Sequence, residues 1–305
     1  MYDAIIVGGS NAGLSAALAL GRSRRRVLVI DSGRPRNQPA QAMHNFLSRD
    51  GTSPAELRRI GSEQLAAYDG VELRAGEATG AAPIAEGFGL ALADGSTAAA
   101  RKLLLASGVE DLLPPIPGLA ELWGGAVFHC PYCHGWEMRD LPLAVCASGP
   151  LALEALKLLR GWTSDLALCS NGPAELSAEE REQIVRRGIP IYEAPIARLA
   201  GADGELARIE FADGGALERR GLMLRVPQRQ RSDLAGLLGC ELVGDGPLAH
   251  LIKVDMLGRT SVPGLYAAGD CATPLQQAIA AAAAGAAAGA GINHELLAEE
   301  WAALG

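Results

Sequence analysis

The chain has 305 residues, 49% of them hydrophobic and 20% charged, with a formal net charge of −8 and a pI near 5.2. This is the make-up of a globular protein with room for two domains, and it excludes a disordered chain. An acidic balance without a basic face also makes a polyphosphate backbone or an anionic bilayer an unexpected partner.

The first stretch, YDAIIVGGSNAGLSAALALGRSRRRVLVIDSG, reads as an apolar strand, a glycine-rich turn, a helix-period segment and a second strand ending at Asp31. It predicts a βαβ unit. Asp3 in place of a basic leader, and glycines at 8, 9 and 13, do not read as a secretory signal, so a cytoplasmic location is expected. The turn Gly8-Gly9-Ser10-Asn11-Ala12-Gly13 matches Gly-x-Gly-x-x-Gly at its first and last glycines, with Ser10 at the middle one, and Asp31 follows at about the fingerprint's 20-residue distance. N–H groups at the helix start can hold a pyrophosphate, and the Asp31 carboxylate can accept hydrogen bonds from a ribose. A bare glycine turn would not require the full order of strand, turn, helix, strand and acid, and that order favours dinucleotide binding.

RKLLLASGVEDLLPPIPG reads as a strand ending in Ala106-Ser107-Gly108, after which Pro114, Pro115 and Pro117 stiffen the chain and mark a domain boundary. Next comes HCPYCHGWE, with His129 and His134 flanking Cys130 and Cys133. The six cysteines (130, 133, 146, 169, 240 and 271) are too sparse for a disulfide scaffold. The pair is therefore a zinc clip, a piece of inert core or a redox dithiol. Structural zinc commonly takes two separated Cys/His pairs. There is no second Cys-x-x-Cys here, so no metal is expected. Pro131, Tyr132, His134 and Gly135 are an odd set for plain packing, which leaves the dithiol as the preferred reading.

A Cys-x-x-Cys lowers one thiol's pKa from about 8.5 into a range of about 3.5–7.5. The first cysteine can then attack or be attacked, and the second resolves the mixed disulfide. Histidine titrates near neutrality, which makes His134 the candidate acid/base. His129 is a second candidate, beside its reading as a satisfied core residue.

DLPLAVCASGPLALEALKLLRGWTSDLALCSNG repeats the first pattern with its chemistry stripped. The turn Ala147-Ser148-Gly149-Pro150-Leu151-Ala152 lacks the first glycine, and Pro150 removes a backbone donor. Ser170-Asn171-Gly172 then offers neither an acid for a ribose nor an arginine for a 2′-phosphate. Residues 205–226 read as strands around an Asp213-Gly214 turn, and 250–270 as a hairpin and a buried strand ending at Gly269-Asp270. An alanine- and glycine-rich helix is expected from near Gln276. Its apolar run, 278–292, is shorter than the roughly 20 residues a membrane helix needs, so no membrane partner is expected.

Taken in order, VGGSNAG, LASG, CPYC and TSVPGLYAAGDC resemble the low-molecular-weight thioredoxin reductase family of two-domain flavoproteins, over nearly the whole chain. The resemblance implies FAD and an α/β fold of two dinucleotide-binding (Rossmann-like, three-layer) domains, the second inserted into the first. Residues 1–114 and 244–305 would hold FAD, and 115–243 would carry the Cys-x-x-Cys on a degenerate NAD(P)H-binding fold. It further implies Gly8, Gly9, Ser10, Asn11, Ala12, Gly13, Asp31 and Ser32 at the pyrophosphate and adenosine ribose, and Asn45 of MHNF on the flavin side. Ala106, Ser107, Gly108 and Gly269 would line the cofactor, Asp270 would bind the ribitol, and Gln277 and Ala278 would meet the flavin edge. There a helix start would offer N–H groups and its positive dipole end to the reduced flavin.

In the family Cys133 would face the flavin and Cys130 would exchange with substrate, while His134 stands where an acid normally follows the pair. The form CPYCHGWE resembles a subgroup that includes the dithiol oxidases of gliotoxin and holomycin biosynthesis, which pass electrons through FAD to oxygen, and reductase-like flavoproteins that use NADPH poorly. The expectation is a homodimeric dithiol oxidase acting on a small dithiol or a thioredoxin-like protein. One rival is a disulfide reductase fed by a donor such as ferredoxin, or by NADPH itself. The other is a flavoprotein scaffold whose Cys-x-x-Cys is structural or zinc-bound.

Overall fold

The fold is described from a computed structural model covering residues 1–246 and 248–304. The chain divides into two compact units, Met1–Gln38 with Phe46–Asp111 and Gln228–Gly305, and Pro39–Asn45 with Leu112–Pro227.

In the first unit the strands run in the order Val71–Ala75, Val27–Asp31, Tyr2–Val7, Thr97–Leu105, Gly87–Leu92, Ala78–Ile84, with Leu265–Ala267 also pairing to Thr97–Leu105. Pairing is parallel from Val71–Ala75 through to Thr97–Leu105 and antiparallel beyond. The central strands are continuously apolar because both faces are buried. Ala4, Ile6, Val27 and Val29 pack on one side with the helix residues Ala16, Leu20, Ala288 and Ile292. Ile5, Val7, Leu28 and Ile30 pack on the other with Phe88, Leu90 and Leu92. The sheet thus has helices packed on one face and its own antiparallel end folded toward the other, in the α/β arrangement expected.

The alanine- and glycine-rich helix runs from Ala278 to Ala302 and lies against helix Asn11–Arg22. A Cβ on Gly285 would sit 2.0 Å from the Ala12 carbonyl oxygen, and one on Gly289 would sit 2.9 Å from that of Ala16. The small side chains are thus explained by a neighbouring backbone. Among the described residues no helix is long and apolar enough to cross a membrane.

In the second unit a parallel sheet has the order Ile191–Tyr192, Leu166–Cys169, Leu143–Cys146, Gly221–Leu224, Val127–Phe128. A separate antiparallel sheet holds Ile196–Ala202, Glu205–Phe211 and Ala216–Glu218.

The expected boundaries at 114/115 and 243/244 shift to 111/112 and 227/228. The larger shift has a physical cause. Gln228–Gln230 pairs antiparallel with Val109–Asp111, and Leu234, Ala235 and Leu238 enter the first unit's core. Strands of three residues leave too little alternation to be read in advance. Pro39–Asn45, assigned by position to the first domain, belongs to the second unit, where Gly124 is close enough to Pro39 that an added Cβ would fall 2.9 Å from its Cβ. The hairpin expected within 250–270 reduces to an isolated bridge, Arg259 to Tyr266, beside strand Leu265–Ala267.

Candidate functional site

The first turn is built by close backbone approach. Gly8 has φ +113°, its N–H donates to the Ile30 carbonyl at 2.8 Å, and an added Cβ would lie 2.2 Å from the Ala106 carbonyl oxygen. On Gly13 a Cβ would lie 1.8 Å from the Gly8 carbonyl oxygen. No larger residue fits at either position without moving the turn.

Ser10 is the N-cap of helix Asn11–Arg22, makes no side-chain cap, and is followed by no acid in the first turn. The first-turn N–H groups, Asn11 and Ala12 among them, lack intrahelical acceptors and sit at the positive end of the helix dipole. Gly8, Gly9, Ser10, Asp31, Ser32, Ala106 and Ser107 gather around one cavity of about 300 Å³. A second cavity of about 530 Å³ adjoins it, sharing Gly9, Asp31 and Ser32 and adding Arg58. Asp31 accepts the Gly9 N–H at 3.1 Å and pairs with Arg58 at 2.5 Å.

Gly108, at φ +70°, accepts the Arg231 N–H at 3.2 Å and is not among those lining residues. Gly269 has φ +83° and stands where a Cβ would come 3.0 Å from that of Ala12, which brings the Gly269-Asp270 turn to the start of helix Asn11–Arg22. Burial raises the Asp270 carboxyl pKa, and Arg36, 3.0 Å away, opposes the rise. Gln277 is the N-cap of the long helix and offers no side-chain cap, and its carbonyl accepts the Ala281 N–H, so the N–H groups of Ala278, Ile279 and Ala280 lack intrahelical acceptors. A glycine-lined cradle, an uncapped helix start and an acid at the second strand's end fit an FAD pyrophosphate and ribose. Arg36 and Arg58 escaped the sequence reading. Arg36 lies in a polar loop and Arg58 within helix Pro54–Leu65, and in sequence neither differs from an ordinary surface arginine.

In the second unit Cys130 and Cys133 form a disulfide with Cα atoms 5.3 Å apart. The pair opens a single helical turn, Pro131–His134, with Cys130 as N-cap and Pro131 in the first position, where a missing N–H costs nothing. Gly135 lets Trp162 close on the turn, since a Cβ there would lie 2.8 Å from the indole. Trp162 also meets Tyr132 edge-on at 5.5 Å.

His134 stacks on Phe128 at 5.6 Å, and its Nε2 lies 3.1 Å from the Gly124 carbonyl oxygen. Donation from Nε2–H leaves the lone pair on Nδ1, which is buried with no hydrogen-bond partner among the described residues. Burial pushes the imidazole below its ordinary 6.5, against the pull of the Gly124 and Cys130 backbone and Glu137. Burial thus favours the neutral imidazole. His129 is half-buried and stacks on Trp123 at 5.8 Å. Asn45, expected on the flavin side, donates its amide to the Tyr132 carbonyl, and His44 lies 3.4 Å from Glu137, so this short segment straps the redox turn. Among the described residues no group of three or more His, Cys, Asp or Glu is arranged to hold a metal.

The second βαβ turn is closed upon itself. Gly149, at φ +58° and ψ −153°, donates its N–H to the Ala174 carbonyl at 2.8 Å, and both residues are buried. Pro150 starts the helix without an N–H. Beyond strand Leu166–Cys169 the Ser170 hydroxyl donates to the Gly172 carbonyl at 2.6 Å, and Asn171 Oδ1 accepts the Ile196 N–H at 2.7 Å. The Ala174 N–H is held by Glu193 at 2.9 Å. The Gly149 and Ala174 N–H groups and the Ser170 and Asn171 side chains are thus bound to the chain's own atoms.

Comparison with known proteins places this arrangement. The pattern that defines pyridine nucleotide-disulphide oxidoreductases matches residues 2–285. Thioredoxin reductase tcpT of Claviceps purpurea is 36% identical over 309 residues, covering 98% of this chain and 95% of that protein. The crystal structure of HlmI superposes with a TM-score of 0.93 at 36% identity, covering 99% of this chain and 95% of that one. An oxidoreductase from Agrobacterium tumefaciens superposes at 0.90 with 36% identity, covering 97% and 98%.

Proposed function

We propose that this chain, which belongs to the pyridine nucleotide-disulphide oxidoreductase family, is an FAD-dependent dithiol oxidase that draws electrons from its thiol substrate and not from a pyridine nucleotide. It is an oxidoreductase of the thioredoxin reductase type, and the observation that carries the finer reading is the second turn. With the Gly149 N–H bound to Ala174 and no N–H on Pro150, an incoming nicotinamide pyrophosphate would have to displace a buried backbone hydrogen bond. Breaking such a bond without replacement costs about 1–3 kcal/mol.

In the reaction a substrate thiol loses its proton, with His134 as the candidate acceptor, and the resulting thiolate attacks Cys130 Sγ. The Cys130–Cys133 bond breaks as the new S–S bond forms, and Cys133 leaves as a thiolate. The second substrate thiol then gives its proton to the Cys133 thiolate and attacks its own partner sulfur, releasing a cyclic or bridged disulfide and the Cys130 thiolate. The substrate loses two electrons and two protons, and the enzyme dithiol holds both electrons. Bound FAD would supply the two-electron acceptor that re-forms the Cys130–Cys133 disulfide and the route by which oxygen leaves as hydrogen peroxide. Gly8 to Gly13, Asp31, Ser32, Ala106, Ser107 and Asp270 would hold it, with Gln277 and Ala278 at the helix start.

The reading includes a homodimer acting in the cytoplasm. Cys146 and Cys169, buried on neighbouring strands and unpaired, suit a reducing compartment. A second reading, reduction of a thioredoxin-like protein with electrons from a donor such as ferredoxin, has one observation in its favour. Tyr132 and Trp136 stand 57% and 66% exposed beside the disulfide, as a protein-docking surface would. An oxygen electrode and a peroxide assay separate the two. The oxidase consumes one oxygen and releases one peroxide per disulfide formed from a small dithiol. A protein that leaves oxygen untouched under those conditions, yet reduces a protein disulfide, is the reductase.

A further inference from the structure

One buried cation plays no part in the dithiol chemistry. Arg36, in the loop after strand Val27–Asp31, has a side chain only 12% exposed. Its Nε and Nη2 each donate to Asp111 at 2.8 Å, while Nη1 donates to Asp270 at 3.0 Å and to Gln276 Oε1 at 2.6 Å. Gln228 closes the network, donating to Asp111 at 2.9 Å and to Gln276 at 3.0 Å, and accepting from Gln276 at 2.8 Å.

Stretches distant in sequence meet on this guanidinium: the loop after the second strand, the end of Val109–Asp111, the Gly269-Asp270 turn and the residue two before helix Ala278–Ala302. Two carboxylates face one guanidinium, a net charge of −1 in a desolvated pocket. An ion cluster of this kind is a poor means of stabilising loops, because desolvation offsets much of the Coulomb attraction. Its placement behind the acid and the helix start that would hold the cofactor suggests another use.

We propose that Arg36 is a positioning residue of the flavin site, fixing Asp270 and the start of helix Ala278–Ala302 from behind and setting how far the site favours reduced over oxidised cofactor. This rests on the assignment of those residues to FAD. Loss of the guanidinium leaves a net −2 in the same pocket, which opposes the negative charge that reduction adds. It also frees the Asp270 carboxylate and the Gln276 amide from their common donor. Lysine can supply the charge but not the planar fork that spans two carboxylates and an amide.

The test is the FAD dissociation constant and the flavin midpoint potential of the full chain and of its Arg36→Gln and Arg36→Lys variants. Arg36→Gln is expected to bind FAD about tenfold more weakly, the scale of a lost charge-assisted hydrogen bond. Its preference for reduced over oxidised flavin should fall about tenfold, which is about 30 mV for a two-electron couple. Arg36→Lys should keep the wild-type potential while binding FAD more weakly. Should the glutamine variant fail to fold, the lysine variant decides on the same two readouts. Wild-type affinity and potential in the folded variants overturn the proposal, whereas a wild-type chain that binds no FAD overturns the site assignment instead.

Discussion

The turn at Gly8–Gly13 and the turn at Ala147–Ala152 do the same architectural work: each lifts the chain from a buried parallel strand into a helix. They differ in what becomes of the backbone N–H groups. In the first, glycines press against the Ala106 and Gly8 carbonyls and the uncapped helix start faces a cavity. In the second, Gly149 is tied to Ala174 and Pro150 removes the next donor. A βαβ unit can thus keep its fold while its turn donors are arranged differently, because the core beneath the turn is apolar strand and helix and is indifferent to where those donors point.

The largest predicted effect is on the disulfide, which gives the second unit a role despite its closed turn. Cys133→Ser should retain FAD and lose dithiol-driven flavin reduction by about a thousandfold or more, since no Cys130–Cys133 disulfide remains to accept the electrons. Stopped-flow absorbance at the flavin band measures this, and normal reduction in the variant would remove the pair from the reaction. Next is a matched pair of substitutions on the two turns. Gly13→Ala places a Cβ against the Gly8 carbonyl and should yield protein without FAD. Gly149→Ala meets open space, with its nearest neighbour at 3.9 Å, and should cost about 1–3 kcal/mol in backbone strain while FAD content stays at the wild-type level. Equal loss of flavin from both would mean the turns are not specialised as described.

His134→Gln should slow thiol exchange by about a hundredfold, the lower range for a removed general base. In the wild type the rate should fall with acid below pH 6.5, where His134 becomes protonated and can no longer accept a proton, because burial has lowered its pKa. Stability should move the same way. The unfolded chain binds that proton more readily than the folded one, so stability is lost as pH falls from 6.5 through the lowered value. A glutamine variant with an unchanged pH profile would assign the base elsewhere. The smallest effect expected is that of Pro150→Asn, which restores a donor but leaves Gly149 bound to Ala174, and should gain no measurable NADPH binding by fluorescence titration.

Much of this was legible in the residues. The period of YDAIIV and RRVLVID and the repeat of that pattern from DLPLAVC onward mark both βαβ units, which the structure shows. The alanine and glycine tract announced a close approach, and the structure supplies the neighbour, Ala12 and Ala16 of helix Asn11–Arg22. Illegible were the features that depend on distant pairing. Val109–Asp111 and Gln228–Gln230 are 117 residues apart at their Asp111–Gln228 contact, and three-residue strands carry no periodicity of their own. For the same reason the strap Pro39–Asn45 and the buried fork of Arg36 could not be read. Each is defined by what lies opposite it, and an arginine or asparagine in a polar loop looks the same whether it is solvated or locked.

The central claim, that thiols and not nicotinamide reduce this flavoprotein, is tested most directly by anaerobic spectroscopy of the FAD-loaded protein with NADPH, NADH and a small dithiol added in turn. The account predicts no bleaching by either nucleotide, prompt bleaching by the dithiol, and recovery of the oxidised band when oxygen is admitted. Rapid bleaching by NADPH would contradict it, and would show that the hydrogen bond between Gly149 and Ala174 opens to admit a dinucleotide.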